Sequence, residues 1–417
     1  MDKHLLTKSK VSNRLQVMLI IGVILLAINL RPALTSIGPI IGMIRNEIGF
    51  SNWSIAMLTS LPLVVFALMS TVIPKLARKF TSKRVLMVGL IALTAGILFR
   101  SISTIEFLIF GTLCIGIGIA ICNVLIPGLI KKEFPSKLML MTGVYSTVMG
   151  ISATTASGLS VPIAENWGLG WRFSLLIWII PAMIALIYWT FISRLRSNHS
   201  TVSQPSPDKD SDIWKSPLAW KIAFFMGCQS LLFYIIISWL PEIFIGFGLD
   251  QATSGFLLSY QQLIGIPASL LIPLLASKLK SQAWLVVFLN ILLIAGIILL
   301  LTYQNLIVFF ITATLIGIST SGNFTLALLF LSLRARNTSQ ATSLSGMAQT
   351  IGYSLAAFGP MIIGFIYDIT LEWKIPLYIL IFLGLCSSLL GLKVGQNRYV
   401  LNENEVEIKV ENRYLSN

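Results

Sequence analysis

Charged residues are scarce in this sequence. Only 11% of its 417 residues are Asp, Glu, Lys or Arg, whereas 56% are hydrophobic. Soluble globular proteins carry about 25% charged residues, so this composition excludes an ordinary soluble domain. Apolar segments of about 20 residues, long enough to cross a bilayer as helices, recur from Leu15 to Val394. The sequence therefore predicts an integral membrane protein embedded in a lipid bilayer.

Histidine and cysteine are also rare, and their positions exclude most site chemistry. The only histidines, His4 and His199, lie in polar stretches outside the apolar segments. The four cysteines all lie within apolar segments and form no CxxC pair: Cys114, Cys122, Cys228 and Cys386. An enzyme would need a nucleophile with a base, or a metal cluster. The sequence supplies neither, which argues against a membrane enzyme. We therefore predict no catalytic residue, no metal site, no cofactor and no enzymatic activity.

Basic residues outnumber acidic ones by 30 to 16, and the formal net charge is +14. The basic residues form short clusters between apolar segments, which is a topological pattern and argues against a nucleic-acid partner. With both termini placed inside, 25 basic residues fall in cytoplasmic segments and four in outer loops: Arg45, Arg100, Arg172 and Lys374. The positive-inside rule then predicts a multi-pass protein of the cytoplasmic membrane with both termini cytoplasmic.

Twelve apolar windows have the length of a transmembrane helix. They lie near residues 15–43, 53–73, 84–100, 105–130, 138–162, 172–192, 218–240, 252–276, 283–302, 305–332, 341–367 and 375–394. Prolines and glycines inside them are compatible with helices, because neighbouring spans can satisfy the freed backbone groups. The predicted fold is all-α, with twelve transmembrane helices in two six-helix halves.

One long polar stretch divides the twelve windows into six and six. We predict an N-terminal half at 1–192, a cytoplasmic linker at 193–217, a C-terminal half at 218–394 and a cytoplasmic tail at 395–417. The linker composition, rich in Ser, Asp, Lys and Pro, is typical of a flexible connection.

The two halves contain matching segments. Residues 73–82 read IPKLARKFTS and residues 272–281 read IPLLASKLKS, so that Ile, Pro, Ala, Lys and Ser recur in register. A second match joins 143–172 with 346–374, each an apolar helix followed by an aromatic-basic pair. Two repeated six-span halves indicate a parallel repeat, which is the design of a large class of secondary transporters.

The first window also contains a motif that resembles a known family. The segment Asn29–Pro39 reads NLRPALTSIGP and is similar to the signature of the cyanate and 2-nitroimidazole transporter branch of the major facilitator superfamily. The resemblance continues through Asn123–Pro127 with Lys131 and Lys132, Trp239–Pro241, Gln349–Tyr353 and Gly359–Pro360. It covers almost the whole membrane part of the chain.

This resemblance implies the twelve-helix major facilitator fold and alternating access around a central cavity. It implies a small anion or polar organic solute, cyanate-like or nitroimidazole-like, as the substrate of a monomeric transporter. One feature departs from the superfamily pattern: the basic segment after the second span lacks the usual Asp. A multidrug-type exporter of the same superfamily is the alternative, and a receptor is the alternative outside the class.

Arg31 is the outlier among the predicted spans. It lies about midway along the first window, where an arginine costs at least about 2.5–3.5 kcal/mol and should face a cavity or a partner. In the functional interpretation its guanidinium balances an anionic or strongly dipolar substrate. In the structural interpretation it satisfies carbonyls freed by Pro32 and Pro39, which cannot donate to Ile28 and Thr35.

Other polar residues of the spans complete the predicted substrate site. They are Asn29, Thr35, Asn123, Tyr145, Gln229, Tyr234, Gln261, Gln262, Asn323, Gln349 and Tyr353. Gln349 and Tyr353, four residues apart, share one helical face. For any single Asn or Gln, hydrogen bonding between helices is the alternative to substrate contact. For the set as a whole we predict that it lines a cavity.

Overall fold

A computed structural model describes residues 3–48, 52–102, 104–197 and 213–401. Helices make up the described residues, and no strand occurs among them. The first nine helices are α1 Lys3–Asn29, α2 Pro32–Thr35, α3 Ile37–Ile48, α4 Asn52–Phe80, α5 Ser82–Arg100, α6 Ile105–Glu133, α7 Leu138–Val161, α8 Gly170–Leu176 and α9 Ile179–Ser197. The other six are α10 Pro217–Gly246, α11 Gln251–Ser277, α12 Ala283–Thr302, α13 Leu306–Leu333, α14 Thr338–Thr370 and α15 Lys374–Val394.

Twelve stretches within the described residues are long and apolar enough to cross a membrane, which confirms the predicted all-α, twelve-span fold. The first span, Leu15–Ile40, runs through α1, α2 and the start of α3. The sixth, Gly170–Arg194, combines α8 and α9. Large apolar side chains are exposed along the spans, such as Leu68, Ile307 and Phe382, as expected for surfaces that face lipid.

The helices form two compact units. The first falls within Met1–Ile126 and Glu133–Pro205, and the second within Pro127–Lys132 and Ser206–Asn417. Residues 198–212 of the predicted linker and 402–417 of the predicted tail lie outside the described residues.

Two sequence expectations about helix continuity need correction. The second window was expected to end near residue 73, but α4 continues through the basic segment to Phe80, and only Thr81, with φ 69°, separates α4 from α5. The first window is not one helix, because the chain breaks at Leu30–Arg31 and again at Ser36. Pro32 lies at the first position of α2, where a helix needs no N–H donor, so the proline begins a new helix.

Within the first unit, α9 is joined to α1 by polar contacts along its length. The Tyr188 hydroxyl donates to the Met18 carbonyl at 3.0 Å, and the Trp189 indole N–H donates to the Gly22 carbonyl at 3.0 Å. The backbone of α5 packs directly on that of α6, because a Cβ at Gly111 would overlap the backbone of Arg100. Small residues permit such close helix packing in membranes.

Within the second unit, an apolar cluster from α10, α11, α12, α13, α14 and α15 forms the core. Leu240, Phe244 and Ile297 belong to it, and all three are at most 1% exposed. A Cβ at Gly317 on α13 would collide with the Gln261 carbonyl of α11, so glycine is required at this crossing.

Arg334, directly after α13, joins the ends of three segments of the second unit. Its Nε donates to the Val394 carbonyl at 2.9 Å, and its Nη2 donates to Gln282 Oε1 at 2.6 Å and to the Gly395 carbonyl at 3.0 Å. Its own carbonyl accepts a bond from the Val400 N–H. Burial lowers the pKa of Arg334 to about 10, which leaves the guanidinium charged at neutral pH.

Candidate functional site

The break in the first span places Arg31 at the start of α2. Arg31 is half-buried and has φ −113° and ψ −38°. Its carbonyl accepts bonds from the Leu34 and Thr35 N–H groups, so the turn is closed by the backbone. A residue before proline normally avoids the helical region, and here the surrounding structure holds Arg31 in it. The guanidinium therefore projects from a fixed turn within a membrane span.

Thr35 fixes this turn to a neighbouring helix. Its hydroxyl lies 3.2 Å from the Arg31 carbonyl and 3.1 Å from the Ala153 carbonyl of α7. A hydroxyl has one proton to donate, so it serves one of these two carbonyls at a time. Both contacts are with backbone, which indicates that Thr35 positions the Arg31 turn against α7.

Asn123 and Tyr145 form a buried pair next to this turn. The Tyr145 hydroxyl donates to Asn123 Oδ1 at 3.1 Å. Tyr145 is 1% exposed and Asn123 is 7% exposed. The charge of Arg31 interacts electrostatically with the Tyr145 hydroxyl. Because that hydroxyl gives its proton to Asn123, its lone pairs are available to a cation. The structure thus joins Tyr145 and Asn123 by a hydrogen bond and places the Tyr145 hydroxyl within electrostatic reach of Arg31.

Asn29 is directed elsewhere, although it is only two residues from Arg31. Its amide N–H₂ donates to the Leu25 carbonyl at 2.7 Å and to the Pro181 carbonyl of α9 at 3.0 Å. These bonds continue the series formed by Tyr188 and Trp189 between α9 and α1. The contacts favour a structural role for Asn29.

Gln229 and Asn323 belong to a buried network in the second unit. Gln229 donates to Ser387 Oγ on α15 at 2.5 Å, and Asn290 on α12 donates to the same oxygen at 3.3 Å. Asn323 donates to Asn290 Oδ1 at 3.3 Å. All four side chains are at most 2% exposed. Hydrogen bonding between helices is therefore the favoured interpretation for Gln229 and Asn323.

The remaining predicted residues of the second unit divide by their contacts. Gln261 donates to the Thr320 hydroxyl on α13 at 3.2 Å, which is again a bond between helices. Gln349 donates to Ser345 Oγ at 2.8 Å, so these residues share one face of α14 as the spacing predicts. Tyr234 and Gln262 are half-buried, and Tyr353 is 7% exposed. Substrate contact stays a prediction for Gln349, Tyr353, Tyr234 and Gln262.

Sequence reasoning missed a second arginine near α2. Arg100 was expected in an outer loop, but it is the last residue of α5 and is 0% exposed. Its Nη1 donates to the Ala33 carbonyl of α2 at 2.5 Å. Arg100 and Arg334 are the charged side chains that are buried among those described. Among the described residues, no group of three or more His, Cys, Asp or Glu side chains could hold a metal ion.

Comparison with known proteins identifies one family, whose model matches most of the chain. The model of the Major Facilitator Superfamily matches residues 17–357. The chain is 41% identical to an uncharacterized transporter, YycB, of Bacillus subtilis, over 92% of this chain and 94% of that protein. It is 37% identical to the 2-nitroimidazole transporter of Escherichia coli over 94% and 99%, and 26% identical to the cyanate transport protein CynX of the same organism over 84% and 90%.

Solved structures support the same fold. The fucose transporter FucP, in its outward conformation, aligns with a TM-score of 0.70 at 13% identity and covers 90% of this chain and 98% of its own. The proton:xylose symporter XylE aligns with a TM-score of 0.69 at 10% identity, covering 92% and 97%. At such low identities the likeness establishes the architecture alone.

Proposed function

Because the chain belongs to the Major Facilitator Superfamily, we propose that it is a secondary transporter of a small anion or polar organic solute, working by alternating access. The substrate is cyanate-like or nitroimidazole-like. Two relatives support this range, since a 2-nitroimidazole transporter is 37% identical and a cyanate transport protein 26% identical. The observation that carries the proposal is Arg31, held at the break in the first span beside Tyr145 and Asn123.

In this proposal Arg31 binds the substrate by charge and by its planar set of N–H donors. A guanidinium can donate two parallel bonds to one planar group, which suits a compact anion or a nitro group. Tyr145 and Asn123 fix the surroundings of the guanidinium, because their mutual bond holds both side chains in place. Gln349, Tyr353, Tyr234 and Gln262 are the proposed contacts in the second unit.

The proposed site of action is the cell membrane, with both termini in the cytoplasm. The twelve spans give a multi-pass protein, and the distribution of basic residues supports this orientation. A reporter fused after Asn417 should read cytoplasmic, and one inserted near Leu169 should read external. An external reading at Asn417 would overturn the orientation.

Flux into proteoliposomes tests the function. Purified protein is first screened for thermal stabilisation by cyanate, 2-nitroimidazole and related compounds, since a ligand that binds only the folded state raises its apparent stability. Hits are then tested for saturable uptake and counterflow, with protein-free liposomes as the control. We expect saturable flux of at least one hit.

Three outcomes separate this proposal from its alternatives. Stabilisation by many unrelated aromatic compounds, with flux independent of Arg31, would favour the multidrug-type exporter. Binding of a compound whose flux stays at the level of protein-free liposomes would favour a receptor. Saturable flux that requires Arg31 supports the proposed transporter.

A further inference from the structure

Three aromatic side chains form an exposed row where α10 begins. Trp214 lies just before the helix, and Trp220 and Phe224 lie on its first two turns. The Trp214 and Trp220 rings meet edge to face with their centroids 5.9 Å apart, and the Trp220 and Phe224 centroids are 5.7 Å apart. In chain order the three residues are 42%, 37% and 44% exposed. The rings therefore pack on one another, and the protein leaves a large part of each uncovered.

Hydrogen bonds of the turn before α10 hold this row in place. The Trp220 indole N–H donates to the Trp214 carbonyl at 2.8 Å. Between these two residues, the Ser216 hydroxyl accepts a bond from the Ala219 N–H and donates to the Val400 carbonyl at 2.6 Å. The turn is thus tied both to α10 and to the segment after α15. The aromatic row is therefore a preformed surface, which a partner does not have to order when it binds.

Two exposed lysines flank the aromatic row. Lys215 follows Trp214 directly, and Lys221 follows Trp220 directly. Lys221 also lies three residues before Phe224, so these two side chains are neighbours on the surface of α10. Among the described residues, Lys221 forms no ion pair with a carboxylate. Positive charge therefore lies along the same exposed surface as the three rings.

The position of the row along its membrane span indicates which partner fits it. The span runs from Pro217 to Gly246, and no charged residue follows Lys221 in it until Glu242. Tryptophan rings gather where the hydrocarbon of a bilayer meets the headgroups, and lysines near the end of a span extend their ammonium groups to the headgroups. An anionic phospholipid offers a phosphate to the ammonium groups and an acyl chain to the rings. A soluble anion would leave the rings uncovered, and a zwitterionic lipid would leave the positive charge unbalanced.

We propose that the start of α10 binds one anionic phospholipid through five side chains, termed the tryptophan patch: Trp214, Lys215, Trp220, Lys221 and Phe224. The headgroup phosphate lies against the two ammonium groups, and an acyl chain lies against the rings of the helix. This site is separate from the proposed substrate site. It goes beyond the proposed transport function, because it predicts lipid binding whichever solute is carried.

Phosphatidylglycerol is the probe that tests this site, with phosphatidylcholine and glycerol phosphate as comparisons. The purified full chain is melted in lipid-free maltoside micelles while each compound is added at constant ionic strength. We expect phosphatidylglycerol to raise the melting temperature saturably, because it binds the folded state. Phosphatidylcholine should bind more weakly, since its headgroup has no net charge. Glycerol phosphate should have no effect, since it has no acyl chain to cover the rings.

Substitution of the two lysines tests the role of charge. Lys221→Gln should weaken phosphatidylglycerol binding about 5-fold, and the double variant Lys215→Gln, Lys221→Gln should weaken it about 30-fold. The affinity for phosphatidylcholine should not change. Both lysines are exposed, so the variants should melt near the wild-type temperature when no lipid is present.

The matched control for the lysines lies at the same end of the second unit. Lys278 and Lys280 are exposed beside Ser281, whose hydroxyl donates to the Gly395 carbonyl at 3.1 Å. Gly395 begins the short segment whose Val400 carbonyl binds the turn before α10. The double variant Lys278→Gln, Lys280→Gln removes the same amount of charge as the double variant of the patch. It should retain the wild-type affinity for phosphatidylglycerol.

Tryptophan fluorescence locates the bound lipid without relying on melting. Phosphatidylglycerol with a brominated acyl chain quenches indole rings that it contacts, so it should quench the wild type saturably at low molar ratio. The double variant Trp214→Phe, Trp220→Phe keeps aromatic rings but removes the indoles, and most of the saturable quenching should disappear. Trp284→Phe removes a 74% exposed indole of the same unit and should retain that quenching.

Four results would overturn the proposal. Equal affinities for phosphatidylglycerol and phosphatidylcholine would remove the lysines from the site. A shift with glycerol phosphate as large as that with phosphatidylglycerol would show a phosphate site that needs no lipid. An equal loss of affinity in the Lys278→Gln, Lys280→Gln control would show diffuse attraction to the whole surface. Unchanged quenching in Trp214→Phe, Trp220→Phe would place the lipid elsewhere.

Discussion

The two arginines that are buried among the described residues differ in how completely they are hydrogen-bonded. In the second unit, Arg334 donates through Nε and Nη2 to a side-chain oxygen and two backbone carbonyls within 3.0 Å. In the first unit, Arg100 donates through Nη1 alone to one carbonyl, and its Nε–Nη2 edge has no partner among the described residues. The Arg334 guanidinium thus joins three segments of its unit, whereas part of the hydrogen-bonding capacity of the buried Arg100 guanidinium is unmet among the described residues.

The neutral polar groups of the two units show the same contrast. In the second unit, Gln229, Ser387, Asn290 and Asn323 bond mainly to one another and join four helices. In the first unit, the Tyr145–Asn123 pair lies next to the charge of Arg31. We infer that substitutions in the first unit act mainly on ligand binding, and that substitutions in the second-unit network act mainly on stability.

The largest expected effect is the loss of substrate binding in Arg31→Gln. Affinity and flux should fall about 30-fold or more, because losing a buried charged contact costs at least about 2 kcal/mol. Ligand-free melting should stay near that of the wild type. Arg31→Lys should retain partial activity at best, since it keeps the charge without the planar donor set. Thermal shift and proteoliposome flux measure both effects.

The matched control for Arg31→Gln is Arg172→Gln. Arg172 is 47% exposed and pairs with Glu47, so its loss should leave flux unchanged. A large drop in the ligand-free melting temperature of Arg31→Gln would instead support the structural interpretation, in which Arg31 satisfies carbonyls of the broken helix. Normal flux in Arg31→Gln would remove Arg31 from the substrate site.

The next largest effect should be on stability, in Arg334→Gln. The Val394 carbonyl and Gln282 Oε1 lose their donor, and each buried unsatisfied group costs about 1–3 kcal/mol, so the melting temperature should fall clearly. Substrate affinity of the folded fraction should not change. Arg398→Gln, at an exposed arginine of the adjoining segment, is the matched control.

The pKa of Arg334 determines how the stability difference between the wild type and Arg334→Gln depends on pH. Burial lowers that pKa to about 10, below the ordinary 12.5. Folding therefore disfavours the charged form of Arg334. The stability of the wild type should rise with pH only above about 10, where Arg334 releases its proton in the folded protein but still keeps it in the unfolded chain. Between pH 6 and pH 8 the difference in melting temperature from the wild type should be constant. A difference that changed across this range would show that another group titrates with Arg334.

The sequence was sufficient for the architecture, and it singled out part of the proposed site. Twelve spans follow from window length and hydropathy, which depend only on local composition. Arg31 is visible because a charge interrupts an apolar window. Arg100 was missed because it ends a window, where an arginine resembles an ordinary loop residue. Its burial depends on the packing of α5 on α6 at Gly111, which is a contact between helices that no local pattern encodes.

The same limit applies to the hydrogen-bond network of the second unit. Gln229 and Asn323 could be found as polar residues within spans, but their partners Asn290 and Ser387 were not singled out. Which helices face each other decides whether an amide meets a neighbour or a ligand. The sequence alone therefore left both interpretations open for each residue.

The smallest expected effect sharpens the comparison between the units. Asn290→Leu removes the donor to Ser387 and the acceptor for Asn323 while keeping a side chain of similar size. Hydrogen bonds between membrane helices average about 0.6 kcal/mol and reach about 1.7 kcal/mol, so the melting temperature should fall modestly. The KM for transport should stay at the wild-type value, since these groups bond to one another. Asn123→Leu in the first unit should instead raise KM, because it removes the acceptor that fixes Tyr145 beside Arg31.

The control for Asn290→Leu is Thr302→Val at the end of the same helix. The Thr302 hydroxyl donates only to carbonyls of its own helix and is exposed, so its loss should change neither stability nor KM. If Asn290→Leu raised KM as much as Asn123→Leu does, the network of the second unit would take part in substrate binding. Gln229 and Asn323 would then return to the set of proposed substrate contacts.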